Sequence, residues 1–538
     1  MFQKSEPETA KPQTVEGSIL PRSTMLAKKL LVASVERLSS QEKTAFAVMQ
    51  GLVNRSQPQV FLIYDLDDAH WLEWLRKRGD IATIEWVGPY EIFRRFRSQM
   101  KGCVVTDPSL PGTVNVATLL GGIKSWLVVS PELVDTFGLP IKEDLRGRWK
   151  RDVDAYRWAY SQLYPSAAKS VLCHLDPGVS QLRDYLAEFK VFTFWLSGTE
   201  EEEDEEEFAR ELFECVGPNV PILGWWGSHG HGTQPGIGEG AGVDLASEYG
   251  LFTVCSAWDG HCESTGNLSV HSGTRATFQQ KPAPPMPKLE NKVYYTFVRT
   301  DGDGTNFWRQ EFLHRWWDAQ HGETPVNWTI GPLAFDLMPD IMDYFYKNAS
   351  SNDYFMAAVS GIGYIHEDIY GKKLPTEVRR GSFNQFLRLT AEYMKRMDLH
   401  FLQTYRTSSA ELVEKYTQIE GLKALFLNYY RGENTTVENA AEMINGVPVF
   451  RAVMGWPSGE NWEEKANSAA AQLREFVSPR LPAFLNFSLT NWGGTEMETM
   501  GVLQKVQKNL PSEYCAVRAD HFVDMYKSCR ARNGGERK

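Results

Sequence analysis

The sequence predicts an α/β protein whose carboxy-terminal part is a (β/α)8-like barrel, preceded by one or more small α/β domains. Nine strand candidates follow one another between residues 220 and 489, and many are separated by amphipathic helices. Repeated strand–helix units of this length indicate a parallel sheet, and about eight of them indicate a closed barrel. Because the chain offers nine candidates, at least one is misplaced, and an open doubly wound sheet is the alternative.

The chain before residue 200 shows the same alternation in shorter pieces. A predicted strand at 59–65 (QVFLIYD) lies between predicted helices at 42–53 and 68–77, and further short strands follow. This pattern indicates small α/β units without an obvious chemical centre. The segment contains neither GxGxxG nor GxxxxGK[ST], so we predict no dinucleotide site, no P-loop and no cofactor.

The stretch at 292–303, KVYYTFVRTDGD, is the clearest strand and turn in the chain. Residues 293–298 are rich in β-branched and aromatic side chains, which is typical of a buried strand. The turn that follows places Asp301 and Asp303 at the carboxyl end of this strand, where α/β proteins bind their ligands. The alternative is that both acids are simply solvated in a turn.

Negative charge is concentrated in one run of eight acidic residues at 200–207, and the rest of the chain is nearly neutral although the formal net charge is -11. Such a run is typical of a solvated linker, which we place at 200–215. Neither this run nor the pI of 5.6 favours nucleic-acid binding, which requires a basic face. Seven scattered cysteines without a CxxC pair predict neither a disulfide framework nor a zinc site.

No apolar run of about 18 residues is present, so no membrane span is predicted. The first residues are polar and contain proline, which indicates a disordered leader and not a signal peptide. We therefore expect a soluble protein, cytoplasmic by default, and the sequence leaves its oligomeric state open. The predicted organisation is a disordered leader at 1–23, α/β domains at 24–199, the acidic linker at 200–215, the barrel-like domain at 216–530 and a disordered tail at 531–538.

The loops that follow the strand candidates are rich in aromatic residues and carboxylates. This mixture is typical of a sugar site, because aromatic faces stack on a pyranose while acids and amides bond its hydroxyls. We therefore predict a carbohydrate substrate, although any single tryptophan here can equally serve packing between loops. The predicted substrate-binding residues are Trp225, Trp226, Asn267, Tyr364, His366, Trp456, Asn491 and Trp492.

Gly361-Ile-Gly363-Tyr364, placed after a predicted strand, resembles the naming motif of the GxGYxYP proteins, a group classed as glycoside hydrolases by inference. Further landmarks similar to those of the family occur along most of the chain, at 50–55 (QGLVNR), 267–270 (NLSV), 300–304 (TDGDG) and 517–522 (VRADHF). In the naming motif, His366 and Glu367 stand where the family has its second tyrosine and its proline. The resemblance implies small amino-terminal α/β domains followed by a barrel-like domain that acts on carbohydrate.

Glycoside cleavage needs a protonated acid at the leaving oxygen and a second carboxylate that acts as nucleophile or base, about 5 to 10 Å away. Asp301 and Asp303 are two residues apart, so on an extended strand end they face the same way and are the first candidates. Their closeness is expected to raise the pKa of one of them by repulsion. Glu239 is the predicted second carboxylate with Glu263 as an alternative, whereas the family's proline argues against Glu367.

Two other functional classes stay open. His229-Gly-His231 resembles the HxH that opens metal-dependent amidohydrolase sites, and Asp259, His261 and Asp301 could complete a metal cluster. The late strands lack the further histidines of that family, so no metal is predicted. The altered naming motif makes a non-catalytic carbohydrate-binding protein on an enzyme-like scaffold the other alternative.

Overall fold

The computed structural model describes residues 17–198, 202–227, 235–257, 264–407, 409–476, 480–489 and 500–535. Its strands are β1 (Lys29–Ser34), β2 (Val60–Ile63), β3 (Thr83–Trp86), β4 (Cys103–Val105), β5 (Leu127–Val129), β6 (Ile141–Asp144), β7 (Leu172–His174), β8 (Phe192–Phe194), β9 (Pro221–Gly224), β10 (Phe252–Cys255), β11 (Val293–Arg299), β12 (Val326–Ile330), β13 (Asp353–Ala357), β14 (Phe401–Thr404), β15 (Ala424–Leu427), β16 (Ala441–Ile444), β17 (Val447–Arg451), β18 (Ala483–Leu489) and β19 (Tyr514–Ala516). Its helices are α1 (Ser40–Asn54), α2 (Leu66–Arg78), α3 (Pro89–Phe96), α4 (Thr113–Lys124), α5 (Val134–Phe137), α6 (Asp152–Gln162), α7 (Arg183–Phe189), α8 (Glu202–Val216), α9 (Glu239–Glu248), α10 (Leu268–His271), α11 (Thr305–Arg309), α12 (Glu311–Trp316), α13 (Ala334–Leu337), α14 (Pro339–Asn348), α15 (Thr376–Arg396), α16 (Ala410–Tyr416), α17 (Trp462–Glu475), α18 (Gly501–Lys508) and α19 (Ala519–Gly535).

The chain divides into two units. Unit 1 comprises the residues up to 173 together with 180–194 and 266–274, and unit 2 comprises 174–179, 195–265 and the residues from 275 onward. The predicted α/β class is confirmed, with parallel sheets in both units. Among the described helices, none is both long enough and apolar enough to cross a membrane.

Unit 1 contains two small parallel sheets, with strand orders β2-β1-β3 and β5-β4-β6. Helix α1 begins at a capping box, in which the Ser39 side chain accepts the Glu42 N–H and the Glu42 carboxylate accepts the Ser39 N–H. This arrangement satisfies backbone donors that a helix start otherwise leaves unpaired. The apolar face of the first sheet, with Val32 of β1 and Phe61 of β2, packs in one core cluster with side chains of α2.

Helix α8 occupies the segment that the sequence predicts as an acidic linker, so that prediction is corrected. Phe208, Leu212 and Phe213 are fully buried, and their spacing puts them on one face of the helix. Glu205 is also buried, and its carboxylate accepts the backbone N–H groups of Ser197 and Gly198 at 2.8 and 3.2 Å. The eight acids at 200–207 obscure the helical spacing of these apolar residues in the sequence.

The described part of unit 2 contains a sheet of nine strands. Eight of them lie in the order β16-β17-β15-β14-β13-β12-β11-β18, and β19 pairs with β11. The pairs are parallel except for β16 with β17, which is antiparallel. Strand β11 lies beside β18 along its whole length, from Val293 opposite Ala483 to Arg299 opposite Leu489. Because these strands are parallel, their carboxyl ends lie at the same edge of the sheet.

Two sequence-based placements differ from the structure in unit 2. The predicted barrel-like domain starts at 216, but β9 and β10 pair with each other, and the nine-stranded sheet starts at β11. A helix predicted at 436–445 is replaced by β16, which pairs with β17 across Asn445-Gly446. Both residues of this turn have positive φ, at 51° and 79°, which is the geometry of a two-residue hairpin.

His174 is enclosed in unit 2 as a neutral side chain. Its Nδ1 lies 2.6 Å from the carbonyl oxygen of Trp225, and its Nε2 accepts the Leu196 N–H at 2.9 Å. Its ring lies 4.5 and 4.3 Å from the rings of Trp195 and Trp226. Burial lowers the pKa of His174 to about 3, so the imidazole is uncharged at neutral pH.

Acid is expected to destabilise the fold through His174. The imidazole takes up a proton near pH 6.5 in the unfolded chain but only near 3 in the folded one, so the unfolded state binds more protons between these values. The free energy of unfolding should therefore fall as the pH drops below about 6.5, by up to ~1.4 kcal/mol per pH unit from this residue.

Denaturant unfolding of the wild type and the His174→Gln variant between about pH 7 and pH 5 measures this contribution. The variant should be less stable at neutral pH, with a shallower dependence on pH than the wild type. An equal pH dependence in both proteins would contradict the prediction.

Candidate functional site

A cavity of about 690 Å³ lies within unit 2, at the edge where β13, β14 and β15 end. Its volume is in the range of small-molecule sites in proteins. Three loops and the first turn of α9 form its wall. The lining residues are Glu239, Gly240, Tyr364, His366, Asp368, Tyr405, Arg406, Asn428, Tyr429, Tyr430 and Gly432.

The backbone is strained where three strands of this edge end. Asp301, Ser360 and Asn428 follow β11, β13 and β15, and their φ angles are 68°, 63° and 65°. These residues occupy the left-handed region, which is costly for any residue with a Cβ and is enriched at functional sites. Asn428 itself lines the cavity. The strand ends are therefore held in conformations that the surrounding structure has to enforce.

Tyr364 is fixed by backbone pairing with β10. Its N–H and carbonyl exchange hydrogen bonds with Thr253 at 2.8 and 2.9 Å. Gly363 has to be a glycine here, because a Cβ at that position would lie 2.3 Å from the ring of Phe252. The Tyr364 side chain, only 5% exposed, donates its hydroxyl hydrogen to Oε1 of Glu239 at 2.9 Å. Burial and the charge of Glu239 raise the pKa of Tyr364 well above its usual value, so the phenol stays protonated.

His366 connects three parts of the site. Its Nδ1 lies 2.5 Å from Oδ1 of Asp244 in α9, and its Nε2 lies 3.5 Å from the Tyr364 hydroxyl. We assign the hydrogen to Nδ1, because its contact with Asp244 is the shortest that the imidazole makes and a carboxylate can only accept; Nε2 is then the unprotonated nitrogen. Arg406 Nη1 lies 3.0 Å from the same Nδ1 and 3.4 Å from Asp244, so the guanidinium shares that carboxylate. Burial lowers the pKa of His366, despite the opposing effect of Asp244.

Glu367 holds the loop after β14 from inside the protein. Its buried carboxylate accepts the backbone N–H groups of Tyr405 and Arg406 at 3.2 and 3.0 Å. Burial raises its pKa even though these donors favour the charged form. The ring of Tyr405 then lies 5.4 Å from that of Tyr364 and stacks on His366 at 5.8 Å. A residue that the family's motif does not contain thus positions one wall of the cavity.

Asp301 and Asp303 lie close to the tyrosines of the cavity. The backbone N–H of Asp301 hydrogen-bonds the Tyr429 hydroxyl. Burial, followed by the charges of Asp303 and Asp301, raises the pKa of Tyr429 well above its usual value. Burial, then the charge of Glu239 and more weakly that of Asp301, also raises the pKa of Tyr405. Glu239 and Asp301 therefore act electrostatically on the same phenol.

Several of the predicted site residues lie together at the cavity, and others lie elsewhere in the structure. Glu239, Tyr364 and His366 line the cavity. Trp456 is 55% exposed, and its ring lies 5.5 Å from that of Tyr430, which is a cavity residue. The carbonyl oxygen of Trp225 lies 2.6 Å from Nδ1 of His174. Asn491 and Trp492 lie outside the described residues.

Trp226 and Asn267, both predicted to bind substrate, are fully buried. The indole N–H of Trp226 donates to Thr253 Oγ1 at 2.8 Å within unit 2. Within unit 1, the Asn267 side chain bonds both backbone groups of Leu62 and accepts from Gln50 Nε2 at 2.7 Å. Because a fully buried side chain has no surface to offer a sugar, we do not carry these two residues into the proposed site.

The metal alternative rests mainly on residues that lie outside the described part of the chain. His229, His231, Asp259 and His261, as well as Glu263, lie outside the described residues. Among the residues that are described, no group of three or more histidine, cysteine or acidic side chains is arranged to hold a metal ion.

Sequence reasoning did not select several residues that form the cavity or support it, among them Asp244, Tyr405, Arg406 and Tyr429. The last three lie in the aromatic-rich loops that follow the strand candidates, so a rule that counts every aromatic residue after a strand finds the tyrosines. Asp244 carries no such signal, since it is one acid within the α9 helix.

Models of one protein family match almost the whole chain. Residues 29–98, 100–168 and 169–273 match its first, second and third amino-terminal domains. Residues 291–527 match the "GxGYxYP putative glycoside hydrolase C-terminal domain". The chain belongs to the GxGYxYP family. Its cavity draws Glu239 from the third matched domain and Tyr364 from the carboxy-terminal one.

Solved structures extend the comparison for this GxGYxYP member. A crystal structure of a "putative hydrolase" from Bacteroides thetaiotaomicron VPI-5482 has a TM-score of 0.79 at 21% identity, over 97% of this chain and 98% of that one. This likeness shows a shared fold. A probable polysaccharide deacetylase from Pseudomonas aeruginosa PAO1 has a TM-score of 0.28 at 12% identity, over 45% of this chain and 94% of that one. A search of curated proteins finds no match.

Proposed function

We propose that this GxGYxYP protein is a glycoside hydrolase that cleaves a glycosidic bond of a carbohydrate in the cavity of unit 2. The observation that carries the proposal is that Glu239 lines the cavity and that the charges of both Glu239 and Asp301 act on Tyr405 in its wall, because the reaction requires two carboxylates at one cavity. Tyrosine rings on the wall offer the faces on which a sugar ring can stack.

The hydrogen bonds favour different roles for the two acids. Glu239 accepts the hydroxyl hydrogen of Tyr364, a phenol that stays protonated, and only an ionised carboxylate gains fully from such a donor. Glu239 is therefore assigned as the nucleophile or base. Asp301 and Asp303, in the turn that follows β11, are then assigned as the source of the proton donor.

We also propose that the nine-stranded sheet is barrel-like. A parallel bridge between Ala452 and Asn486 connects the end of β17 to β18, although these strands stand second and last in the pairing order. In addition, Phe522 of α19 lies 4.7 Å from Phe450 of β17 and 5.5 Å from Phe484 of β18. A sheet that curves back on itself accounts for both observations.

The proposal is tested with the purified full chain on a panel of aryl glycosides and of plant and microbial polysaccharides, with and without a chelator. We expect cleavage that resists the chelator and that, on substrates with poor leaving groups, falls by about 10²-fold or more in the Asp301→Asn or Asp303→Asn variant, since each is a candidate for the acid. Glu377→Gln, an exposed change on α15, is the matched control.

Each other result points to a different class. Activity that the chelator removes would favour the metal-dependent hydrolase. Binding of a polysaccharide without cleavage of any substrate would favour the non-catalytic carbohydrate-binding protein. Full activity in both aspartate variants would leave the turn after β11 without a chemical role.

A further inference from the structure

Four side chains form a continuous chain of polar contacts along one wall of the cavity, in the order Glu239, Tyr364, His366 and Asp244. Oε1 of Glu239 accepts from the Tyr364 hydroxyl at 2.9 Å, and this hydroxyl lies 3.5 Å from Nε2 of His366. On the other side of the imidazole, Nδ1 lies 2.5 Å from Oδ1 of Asp244. The Tyr364 oxygen therefore stands between two groups that can each exchange a proton with it.

We propose that Tyr364 and His366 relay a proton from Glu239 toward Asp244, so that Glu239 acts as the base for water and is returned to its ionised form after each turnover. This inference rests on the proposed hydrolase function and adds to it, because it commits Glu239 to one of the two roles left open above. It also gives the departure from the family's motif at His366 a chemical meaning.

In the proposed reaction, water is the nucleophile and Glu239 is its base. Water bonds to the anomeric carbon, Glu239 takes one of its hydrogens as a proton, and the sugar–oxygen bond to the leaving group breaks as the acid of the Asp301–Asp303 pair protonates that oxygen. Glu239 then passes its proton to the oxygen of Tyr364, while the hydroxyl hydrogen of Tyr364 moves to Nε2 of His366. The imidazolium gives its Nδ1 hydrogen as a proton to Asp244, which is partly exposed and passes it to solvent. Exchange with solvent returns the remaining imidazole hydrogen from Nε2 to Nδ1, and the Asp301–Asp303 pair takes up one proton from solvent, so the cycle has no net change in protons.

The charged groups around His366 suit this role. Asp244 of α9 stabilises the imidazolium, and Asp368 on the same loop favours it more weakly. Burial opposes the imidazolium most strongly, and Arg406 from the loop after β14 opposes it further, so the imidazolium does not persist and the proton is given up. The Tyr405 ring stacks on the imidazole, and its hydroxyl also hydrogen-bonds Tyr364. These contacts keep the His366 ring in line with the Tyr364 hydroxyl.

The relay is tested by chemical rescue in the full chain, on whichever aryl glycoside the wild type cleaves. His366→Ala should lower kcat by about 10- to 100-fold with KM within about twofold, and added imidazole should restore at least about tenfold. The double variant Tyr364→Phe with His366→Ala should not respond to imidazole, because the link to Glu239 is missing. His400→Ala, which removes a histidine paired only locally with Asp398, should behave as the wild type does with and without imidazole.

A second variant at the same position, His366→Gln, controls for a possible folding defect in His366→Ala. His366→Gln keeps an amide that can bond Asp244 but cannot take up a proton, so it should lose kcat while its thermal unfolding matches the wild type. The product anomer, read by NMR, should be inverted, since a base that activates water gives inversion.

Three results would overturn the relay while leaving the hydrolase intact: unchanged kcat in His366→Gln, loss of kcat in His366→Ala that imidazole does not restore, or a product of retained configuration. Failure of the wild type to cleave any glycoside would instead remove the proposed function, and the relay with it.

Discussion

Replacing Glu239 with glutamine is expected to lower kcat by about 10³-fold while affinity for the substrate changes little. Glutamine keeps the shape of the side chain and a carbonyl oxygen that can accept from the Tyr364 hydroxyl, so the wall of the cavity should stay in place. What the variant lacks is the negative charge and the ability to take a proton. Steady-state kinetics and calorimetric titration with the same glycoside separate the two effects.

Asp301→Asn and Glu239→Gln should differ in how their activity depends on the leaving group of the substrate. An enzyme without its acid still cleaves glycosides whose leaving group needs no proton, such as a dinitrophenol, whereas an enzyme without its base or nucleophile does not. Glu239→Gln should therefore be impaired on every leaving group, and Asp301→Asn mainly on poor ones. If Glu239→Gln instead regains activity on a glycoside with a good leaving group, the assignment is contradicted, and Glu239 is the acid and Asp301 the base or nucleophile.

The features of this site that depend on neighbouring residues could be predicted from the sequence, whereas those that depend on residues far apart in the chain could not. The strand at 293–298 and its acidic turn follow from side-chain type and spacing, and β11 ends at Arg299, directly before Thr300-Asp301. Tyr364 was found through the naming motif. The structure adds the reason for its glycine: Gly363 lets Tyr364 pair with Thr253 of β10, a contact 111 positions away in the chain that no local pattern reveals.

Other features were hidden because two signals competed in one segment. At α8 the acidic run concealed Phe208 and Leu212, which give the helix a buried face. At β16 the helical pattern of 436–445 was preferred over Asn445-Gly446, the strongest short hairpin signal in that region. Trp226 shows the converse, since a tryptophan in a loop near a strand end can equally lie in the core. Burial depends on distant partners, which the single sequence does not contain.

Replacing Phe522 with alanine is expected to lower the free energy of unfolding by about 3 to 5 kcal/mol, the cost of removing a large aromatic side chain from a core. Phe522 is fully buried in α19, and its ring lies 6.5, 4.7 and 5.5 Å from those of Phe426, Phe450 and Phe484. These three residues belong to β15, β17 and β18. Denaturant unfolding measures the loss, and Arg530→Ala, an exposed change on the same helix, is the matched control.

The effect of Phe522→Ala should also be uneven across the sheet, because its partners lie in strands from both ends of the pairing order. If Phe522 holds β17 and β18 near one another, backbone amides of these strands should lose protection from hydrogen exchange at lower denaturant than those of β13, whose neighbours β12 and β14 do not depend on this contact. Uniform loss of protection would mean that the sheet opens as one unit. Protection lost first in β13 would contradict the account in which α19 joins the two ends.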